Sequence, residues 1–509
     1  QERIKAFTGL QLASGRNARG AKQVKLVTDA GAGKVTGAYT LDVTPSAITI
    51  RAAAPEGMFY GLQTLLQLLP VNGTDIPCVA IKDEPRFQWR GLMLDVSRHF
   101  YTIAEVKRMI DEMVEYKFNL LHLHLTDDQG WRLEIKSLPE LTKVGAWSVP
   151  RTGLWWDRQP PKDGEKATYG GFYTQEDIRG LLRYASERHV QVLPEIDVPG
   201  HSLAAIAAYP YLSTTNLPYK VNPGSKFYGI EDNALSPIEE TTYEFLDKVF
   251  TEVAALFPFE YIHIGGDECY KGFWEKSPEC LQFMKTHHLK NAEELQSYFV
   301  KRVEKILESK GKKLLGWDEI LEGGLAPSAT VMSWRGMEGG IAAARAGHKV
   351  VMSPNSHVYL DLYQGDPAIE PPTYSMLRLK DVYDFEPVPA GISPEYILGG
   401  QGNLWTESVP VFRHAEYMLW PRAMALSEVL WSPPAKHNWN AFISRMEQQF
   451  PRLDKQDINY SRSAYDAIIK PSKDAAGNLQ ISLDTEIDGL ELYYTFDNTY
   501  PDSHSPLYK

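Results

Sequence analysis

The sequence predicts an α/β protein whose central part is a (β/α)8 TIM barrel. A small α/β domain is predicted before the barrel, and a small, incomplete β module after it. Three observations predict this class. Short apolar runs alternate with amphipathic helical stretches over residues 85–450. These runs number eight, which is the count that closes a barrel of parallel strands. The flanking segments, 1–84 and 451–509, lack this alternation.

The first part, residues 1–84, is predicted to contain strands followed by a helix. The strands correspond to the alternating segments "QVKLVTD", "YTLDVT" and "AITIRAA". A helical run, "EGMFYGLQTLLQLL", follows them and ends at Pro70, where the missing N–H stops a helix. These elements indicate a small α/β domain.

The barrel strands are predicted from apolar runs rich in β-branched residues. The runs are "RGLMLDVSR", "NLLHLHLTDD", "QVLPEIDVPGH", "EYIHIGGDE", "KLLGWDEI", "TVMSWRG", "VVMSPNSHVYLD" and "ILGGQGNLWTE". The helices between them have start signals of their own. Thr102 with Glu105, and Thr174 with Asp177, form capping-box patterns ahead of apolar residues at helical spacing. After about residue 470, "PSKDAAGN" is predicted to be a linker, and "LQISLDTE" and "LELYYTF" strands of the β module.

Composition excludes several classes of protein. The chain has 509 residues and a formal net charge of −12, with no run of five like charges, which argues against a nucleic-acid partner. Apolar runs such as "LLQLL" are too short to span a membrane. Three cysteines form neither a disulfide framework nor a paired metal motif, and no metal or cofactor is predicted. Gln1 in place of a starting Met hints at processing and predicts an exported protein.

Polar and aromatic residues interrupt every predicted barrel strand near its carboxyl end, the end that carries the active site in this fold. They are Arg90, Asp95 to Arg98, Asp127, Asp128, Asp197, His201, Asp267, Glu268, Trp317, Asp318, Trp334, Tyr359, Asp361, Trp405 and Glu407. Carboxylates with aromatic rings suit a sugar, because a pyranose presents C–H faces to rings and hydroxyls to Asp, Glu and Arg. No phosphate loop or dinucleotide fingerprint is present in the sequence. The predicted partner is therefore a glycan.

Asp267 and Glu268 stand side by side in "YIHIGGDECY". An ordinary retaining pair of carboxyls approaches the glycosidic bond from opposite sides, about 5 to 5.5 Å apart, which neighbours in sequence fit poorly. A division of labour fits better: Glu268 protonates the glycosidic oxygen, and Asp267 orients a substituent of the substrate that acts as nucleophile.

Five motifs resemble the β-N-acetylhexosaminidases of glycoside hydrolase family 20. They are "RGLMLDVSRHF", "LHLTDDQGWRLEI", "PEIDVPGHS", "HIGGDE" and "LWTE", in the family's order. The resemblance implies an exo-acting, retaining enzyme that works by substrate-assisted catalysis through an oxazolinium intermediate. It also implies site roles: Glu268 as acid/base with His201 and Asp127 as its relay, Asp267 and Tyr359 on the acetamido group, Trp317, Trp334 and Trp405 as pocket walls, and Arg90, Asp361 and Glu407 on the hydroxyls.

Two other classes compete with this interpretation. The "HLH" at 122–124 puts two imidazoles on one face of a strand, as a zinc-dependent hydrolase would, although the fifth and sixth strands present Trp317 and Trp334 where such an enzyme has histidines. A sugar-binding protein without turnover would keep the aromatic residues but has no use for the acid pair. Cys269 is interpreted as a packing residue, because nothing near it in sequence would activate a thiolate.

Overall fold

The barrel predicted from the alternating pattern is present. The computed structural model describes residues 2–13, 15, 23–71 and 73–509. Eight parallel strands close into a barrel in chain order, and the eighth pairs with the first. The strands are Trp89–Asp95, Leu120–His124, Gln191–Glu195, Tyr261–His263, Lys313–Trp317, Thr330–Ser333, Val350–Met352 and Ile397–Leu404. Each predicted run coincides with one of them, which confirms the fold class.

Helices surround the barrel on the outside. Those that follow the barrel strands are Ile103–Glu115, Gln175–Ser186, Glu240–Leu256, Ala292–Ser309, Glu338–Arg345, Leu379–Tyr383 and Arg422–Trp431. The connection after the fifth strand differs, because it contains the 3-10 helix Asp318–Leu321 in place of an α-helix. Among the described residues, no helix has both the length and the apolar character needed to cross a bilayer.

Shorter elements lie in the connections and after the barrel. The additional helices are Glu140–Lys143, Leu203–Ala208, Pro278–Thr286, Asn355–Val358, Phe412–Leu419, Trp439–Glu447 and Phe450–Lys455. The other 3-10 turns are Pro210–Leu212, Pro394–Tyr396, Pro434–Lys436 and Ser463–Tyr465. Two antiparallel pairs of short strands, Thr126–Asp127 with Gly130–Trp131 and Trp147–Ser148 with Tyr169–Gly170, order the loops above the barrel.

Both predicted capping boxes are confirmed. The Thr102 N–H donates to the Glu105 carboxylate at 2.7 Å, and the Glu105 N–H donates to the Thr102 hydroxyl at 3.4 Å. Thr174 and Asp177 exchange the same two bonds, at 2.9 and 3.1 Å. Each box satisfies N–H groups that the first helical turn leaves unpaired, which fixes where the helix begins.

The N-terminal part is a four-stranded sheet with one helix, Pro55–Leu68, packed on it. Its strands are Gln23–Thr28, Tyr39–Val43, Ala47–Ala52 and Val79–Asp83, and a further short helix is Glu2–Thr8. The sequence predicted the first three strands and the packed helix but not the fourth strand, "VAIKD". Leu41, Ile50 and Leu65 are buried between sheet and helix and form a core separate from that of the barrel.

This domain docks against the amino-terminal end of the barrel. The carboxylate of Asp83 accepts from the indole N–H of Trp431 at 2.9 Å and from the ammonium of Lys117 at 3.0 Å. The ring of Tyr60 lies edge-on to Trp431, with 5.1 Å between centroids. The opposite, carboxyl-terminal end of the barrel therefore stays open for a site.

The C-terminal residues differ from the prediction. Strands Ile468–Lys473 and Leu479–Asp484 pair as an antiparallel hairpin, so "PSKDAAGN" is a strand end and a turn, and the linker prediction is wrong there. Asp474 makes that turn by accepting from the backbone N–H groups of Ala476 and Asn478. The predicted strand "LELYYTF" is also wrong, because it forms only an isolated bridge from Tyr493 to Leu507. Two backbone hydrogen bonds flank this bridge, from the Tyr494 N–H to Pro506 and from the Tyr508 N–H to Leu492.

Candidate active site

The carboxyl ends of the barrel strands surround a cavity of about 450 Å³. Its lining includes seven of the strand-end residues named from the sequence: Arg98, Asp267, Glu268, Trp334, Tyr359, Trp405 and Glu407. Ser408 and two loop segments, 154–157 and 372–374, complete the lining. The other predicted residues lie behind this surface or elsewhere in the barrel.

Two glycines direct the acid pair into the cavity. Gly265 and Gly266 have φ values of +67° and +93°, in the left-handed region that glycine adopts at no steric cost. A Cβ on Gly265 would lie 1.7 Å from the Asp197 carboxylate, which packs directly on this turn. Glu268 itself has a φ of +43°, a backbone conformation that non-glycine residues adopt rarely and mostly at functional sites.

The two acids have different surroundings. Asp267 is buried, and among the described residues its Oδ1 has no hydrogen-bond partner. Burial raises the pKa of Asp267 to about 6, so at neutral pH it is mainly an ionised acceptor that lacks a donor. The Glu268 side chain is 54% exposed, and the neighbouring His201 lowers its pKa. Asp267 is therefore suited to accept a hydrogen bond from a bound molecule, and Glu268 to exchange a proton with it.

His201 connects the acid pair to the barrel interior. Its Nε2 lies 3.6 Å from Glu268 Oε2 and 3.7 Å from Asp267 Oδ2, and its Nδ1 lies 3.2 Å from Asp127 Oδ1. Burial would lower the pKa of His201, but Asp127, Tyr228 and Asp128 together outweigh burial and raise the pKa well above the usual value. The structure thus brings together His201, Asp127, Asp267 and Glu268, as the sequence predicted.

The chain of charged groups continues below Asp127 through His124, which the sequence suggested only as a metal ligand, and Glu195, which was not predicted. His124 Nε2 lies 2.9 Å from Asp127 Oδ2, and His124 Nδ1 lies 2.7 Å from Glu195 Oε2. His124 and Glu195 have no exposed side-chain surface. The sequence feature that could have identified them is a titratable residue at an inward-facing position of an otherwise apolar barrel strand.

The same cluster bears on the metal-hydrolase alternative. Donor atoms of His122, Glu195 and His263 lie within 4.8 Å of one another. Glu195 already accepts hydrogen bonds at both oxygens, from His124 Nδ1 at one and from the Trp317 indole N–H at the other. His122 hydrogen-bonds to Gln401 through its Nδ1. Hydrogen bonding within the barrel therefore accounts for the "HLH" pair.

Three aromatic residues form one wall of the cavity. The rings of Trp334 and Tyr359 are stacked, with 5.9 Å between centroids and planes 14° apart, and Tyr359 meets Trp405 at 6.3 Å. The Trp334 indole donates to Glu319 at 2.8 Å, which fixes the ring's orientation. Glu319 was not predicted; burial raises its pKa to about 8, and nearby Asp267 adds to this effect.

The prediction that Trp317 is a cavity wall is wrong. Its side chain is fully buried and lies beneath Trp405, with 5.7 Å between the rings. The indole N–H donates to Glu195 at 2.8 Å, and this bond holds the ring toward the barrel axis. Trp317 supports the wall from behind instead of facing the cavity.

Asp361 and Glu407 lie on the same side of the cavity as Arg98. Asp361 is buried and accepts from the hydroxyl of Tyr374 at 2.8 Å, while its Oδ1 has no partner among the described residues. Burial raises the pKa of Asp361 to about 7. Glu407 lies 3.4 Å from the Arg98 guanidinium. These groups provide hydrogen-bond acceptors beside the aromatic wall.

The prediction that Arg90 binds substrate is wrong. Arg90 lies at the amino-terminal end of its strand and donates to the Phe87 and Lys117 carbonyls and to the Tyr60 hydroxyl, at 2.7 to 2.9 Å. It therefore joins the barrel floor to the N-terminal domain. Strand geometry explains the error, since the five residue-to-residue steps from Arg90 to Asp95 span roughly 16 Å.

Arg98, three residues past the end of that strand, occupies the position predicted for Arg90. Its guanidinium lies 2.8 Å from Asp127, 3.2 Å from Asp95 and 3.4 Å from Glu407, and 5.0 Å from the centre of the Trp405 ring. Arg98 thus joins the acid relay, the aromatic wall and the acceptor side of the cavity. The sequence named Arg98 among the polar residues at this strand's end but gave it no role, and strand direction would have favoured it over Arg90.

A barrel whose mouth holds an acid pair beside aromatic walls is an arrangement typical of glycoside hydrolases. The chain belongs to glycosyl hydrolase family 20. The model of the family's catalytic domain matches residues 87–434, and the model of its domain 2 matches residues 1–84. These matches confirm the resemblance carried by the five sequence motifs.

Similar proteins are known from several bacteria. The chain is 44% identical over 436 residues to the Beta-hexosaminidase of Porphyromonas gingivalis. The aligned region covers 83% of this chain but only 54% of that protein. The GH20 exo β-N-acetylglucosaminidase of Vibrio harveyi, solved with N-acetylglucosamine, superposes with a TM-score of 0.78 at 36% identity, covering 91% and 72% of the two chains. The Streptomyces coelicolor A3(2) β-N-acetylhexosaminidase gives 0.77 at 32% identity, covering 91% and 89%.

Proposed function

We propose that this protein is an exo-acting, retaining β-N-acetylhexosaminidase that releases terminal N-acetylglucosamine or N-acetylgalactosamine from the non-reducing ends of glycans. The observation that carries the proposal is the buried Oδ1 of Asp267, which lacks a partner among the described residues and sits next in the chain to Glu268. An acceptor there fits the N–H of a 2-acetamido group on a sugar whose glycosidic oxygen meets Glu268. The similarity to hexosaminidases supports the same activity.

In the proposed reaction, protonated Glu268 gives its proton to the glycosidic oxygen as the bond from that oxygen to C1 breaks. The carbonyl oxygen of the 2-acetamido group bonds to C1 and forms an oxazolinium ion. Asp267 accepts from the amide N–H and offsets the positive charge, and Tyr359 donates to the acetamido oxygen. Water then attacks C1 from the side that the leaving group vacated and gives its proton to Glu268, while the bond from C1 to the acetamido oxygen breaks and the acetamido group is restored. Two displacements at C1 retain its configuration.

Glu268 must be protonated before the bond breaks, although His201 lowers its pKa in the free enzyme. Its side chain is about half exposed in the open cavity. A sugar that covers this carboxyl removes water from it, and loss of water favours the neutral form of a carboxylic acid. Binding of the substrate is therefore proposed to prepare the acid.

Exo action is expected because the acid pair, the aromatic wall and Glu407 line the same cavity, which suits recognition of one terminal sugar. A chromogenic N-acetylglucosaminide should be hydrolysed, and tetra-N-acetylchitotetraose should release one N-acetylglucosamine at a time, as followed by chromatography of early products. A sugar-binding protein without turnover would leave both intact. A disaccharide as the first product from the tetrasaccharide would contradict exo action.

Arg98 and Arg90 provide a matched test of the substrate-side assignment. Arg98→Lys keeps the charge but loses the forked donors, and we expect kcat/KM for a chromogenic N-acetylglucosaminide to fall about ten- to a hundredfold, as for the loss of a charged hydrogen bond. Arg90→Lys should lower the free energy of unfolding by about 1–3 kcal/mol and leave kcat/KM within about twofold. Urea unfolding and steady-state kinetics measure both. A loss of kcat/KM in Arg90→Lys with little change in Arg98→Lys would instead assign substrate binding to Arg90.

A further inference from the structure

An aromatic surface lies at the edge of the cavity, outside the wall formed by Trp334, Tyr359 and Trp405. Trp156 lines the same cavity as Glu268, is 37% exposed and has a φ of +70°, a strained value for a tryptophan. The backbone N–H of Trp156 donates to the Gly224 carbonyl at 3.0 Å. A Cβ on Gly224 would lie 2.7 Å from the Trp155 ring, so this close loop contact requires glycine.

Two further rings fix the orientation of Trp156. The Trp156 ring lies nearly parallel to that of Phe227, with planes 21° apart and 6.1 Å between centroids, and it meets Tyr228 at 5.8 Å. Phe227 is buried and stacks on Tyr228 at 4.5 Å. A partly exposed ring held against the buried ring of Phe227 is a preorganised surface, which costs little entropy when a ligand binds.

This ring stack is joined to the acid side of the cavity. Tyr228 meets the His201 ring edge-on, with 6.4 Å between centroids, and His201 in turn contacts Glu268. In the described part of the chain, the rings that contact Trp156 are Trp155, Phe227 and Tyr228, and none of them belongs to the wall. The acid protonates the oxygen that joins two sugars, so the leaving sugar lies on the acid's side of the cavity. Aromatic rings on that side therefore face the leaving sugar.

We propose that Trp156 is a stacking platform for the sugar on the leaving-group side of the cleaved bond. This proposal rests on the proposed function, which takes Glu268 as the acid. The occupant is a pyranose, because a flat ring face suits its C–H groups and the adjacent Asp157, also in the cavity lining, offers acceptors for its hydroxyls. The enzyme is then expected to prefer a cyclic second sugar to an open-chain one.

The stacking platform can be tested by measuring the unmodified enzyme and Trp156 variants on two substrates that differ only in the second sugar. The substrates are N,N′-diacetylchitobiose and its alditol, in which reduction has opened the second ring. For the unmodified enzyme, opening that ring should lower kcat/KM about three- to tenfold, the value of one aromatic contact. Trp156→Ala should lower kcat/KM for the disaccharide by a similar factor and reduce the effect of ring opening to less than about twofold.

Three variants serve as controls in the same experiment. Trp156→Phe should keep the preference for the closed ring, and Tyr500→Ala, which removes a 99% exposed aromatic residue of the C-terminal module, should not change it. Trp156→Leu keeps apolar volume without a flat face and replaces the alanine variant if that one fails to fold. A preference for the closed ring that persists in Trp156→Ala or Trp156→Leu would overturn the platform.

A substrate without a second sugar separates this proposal from the proposed function. The β-fluoride of N-acetylglucosamine should be hydrolysed by the unmodified enzyme and should be less affected by Trp156→Ala than the disaccharide is. If the unmodified enzyme hydrolyses neither the fluoride nor the disaccharide, the proposed function fails and the platform fails with it. Turnover of both with equal losses in Trp156→Ala would overturn the platform alone.

Discussion

Glu268→Gln is expected to lower kcat about 10²- to 10⁴-fold on substrates with poor leaving groups, the usual contribution of general acid catalysis. The amide has nearly the shape of the carboxylic acid but carries no proton that it can give to the glycosidic oxygen. An alkoxide leaving group needs that proton, whereas a nitrophenolate departs unaided. The loss should therefore be much smaller for a 4-nitrophenyl glycoside than for an N-acetylated disaccharide.

His201→Ala is the graded control for this experiment. His201 lies 3.6 Å from Glu268 and tunes the acid without replacing it, so its loss should act in the same direction but more mildly. Steady-state kinetics on a series of aryl glycosides with leaving groups of rising pKa would measure both variants. Equal losses for good and poor leaving groups in Glu268→Gln would mean that another group is the acid.

The barrel could be predicted because its pattern is local and repeated. Each strand is a short apolar run, and each helix carries a periodic apolar face, so residues near each other in sequence contain the signal. Only one strand of the hairpin at Ile468–Asp484 gave such a signal: Leu479–Asp484 alternates apolar and polar residues and was predicted, whereas Ile468–Lys473 does not alternate, contains a proline and is almost entirely exposed. Without alternation or a buried face, that strand could not be distinguished from a linker.

The acid pair could be predicted for a related reason: two glycines and two carboxylates in a row leave few structural explanations. Arg90 and Trp317 were misplaced because chemical type alone does not give direction along a strand or depth below a surface. Arg90 begins its strand and Arg98 follows it, which places them at opposite ends of the barrel. Trp317 is turned inward by a bond to Glu195, a residue far away in sequence.

The second large effect concerns the substrate. If Asp267 orients a 2-acetamido group as the nucleophile, the enzyme supplies no carboxylate nucleophile of its own. An intramolecular nucleophile held in place can have an effective molarity on the order of 10⁵ to 10⁸ M. Replacing the acetamido group by a hydroxyl, as in a β-glucoside, should therefore nearly abolish turnover even where the sugar still binds. Rates on matched 4-nitrophenyl glycosides measure this dependence.

Asp267→Asn tests the same mechanism from the protein side. The amide keeps an oxygen but loses the charge that offsets the developing oxazolinium ion, so kcat on the acetamido substrate should fall about 10²- to 10³-fold. The pH dependence should change as well. Asp267 must be ionised to act and its pKa is raised to about 6, so kcat/KM of the unmodified enzyme should fall as the pH drops below that value. Asp267→Asn should lack this limb.

Substrate participation would be contradicted in either of two ways. Comparable rates on β-glucosides and β-N-acetylglucosaminides would show that the acetamido group is not needed. A covalent sugar ester trapped on any Asp or Glu, detected by mass spectrometry of the peptides, would show a nucleophile from the protein. Asp267 could still be the counter-charge in that case, but its unpartnered Oδ1 would then need a donor other than an acetamido N–H. Retention of configuration alone cannot separate the two mechanisms, because both use two displacements at C1; the dependence on the C2 substituent can.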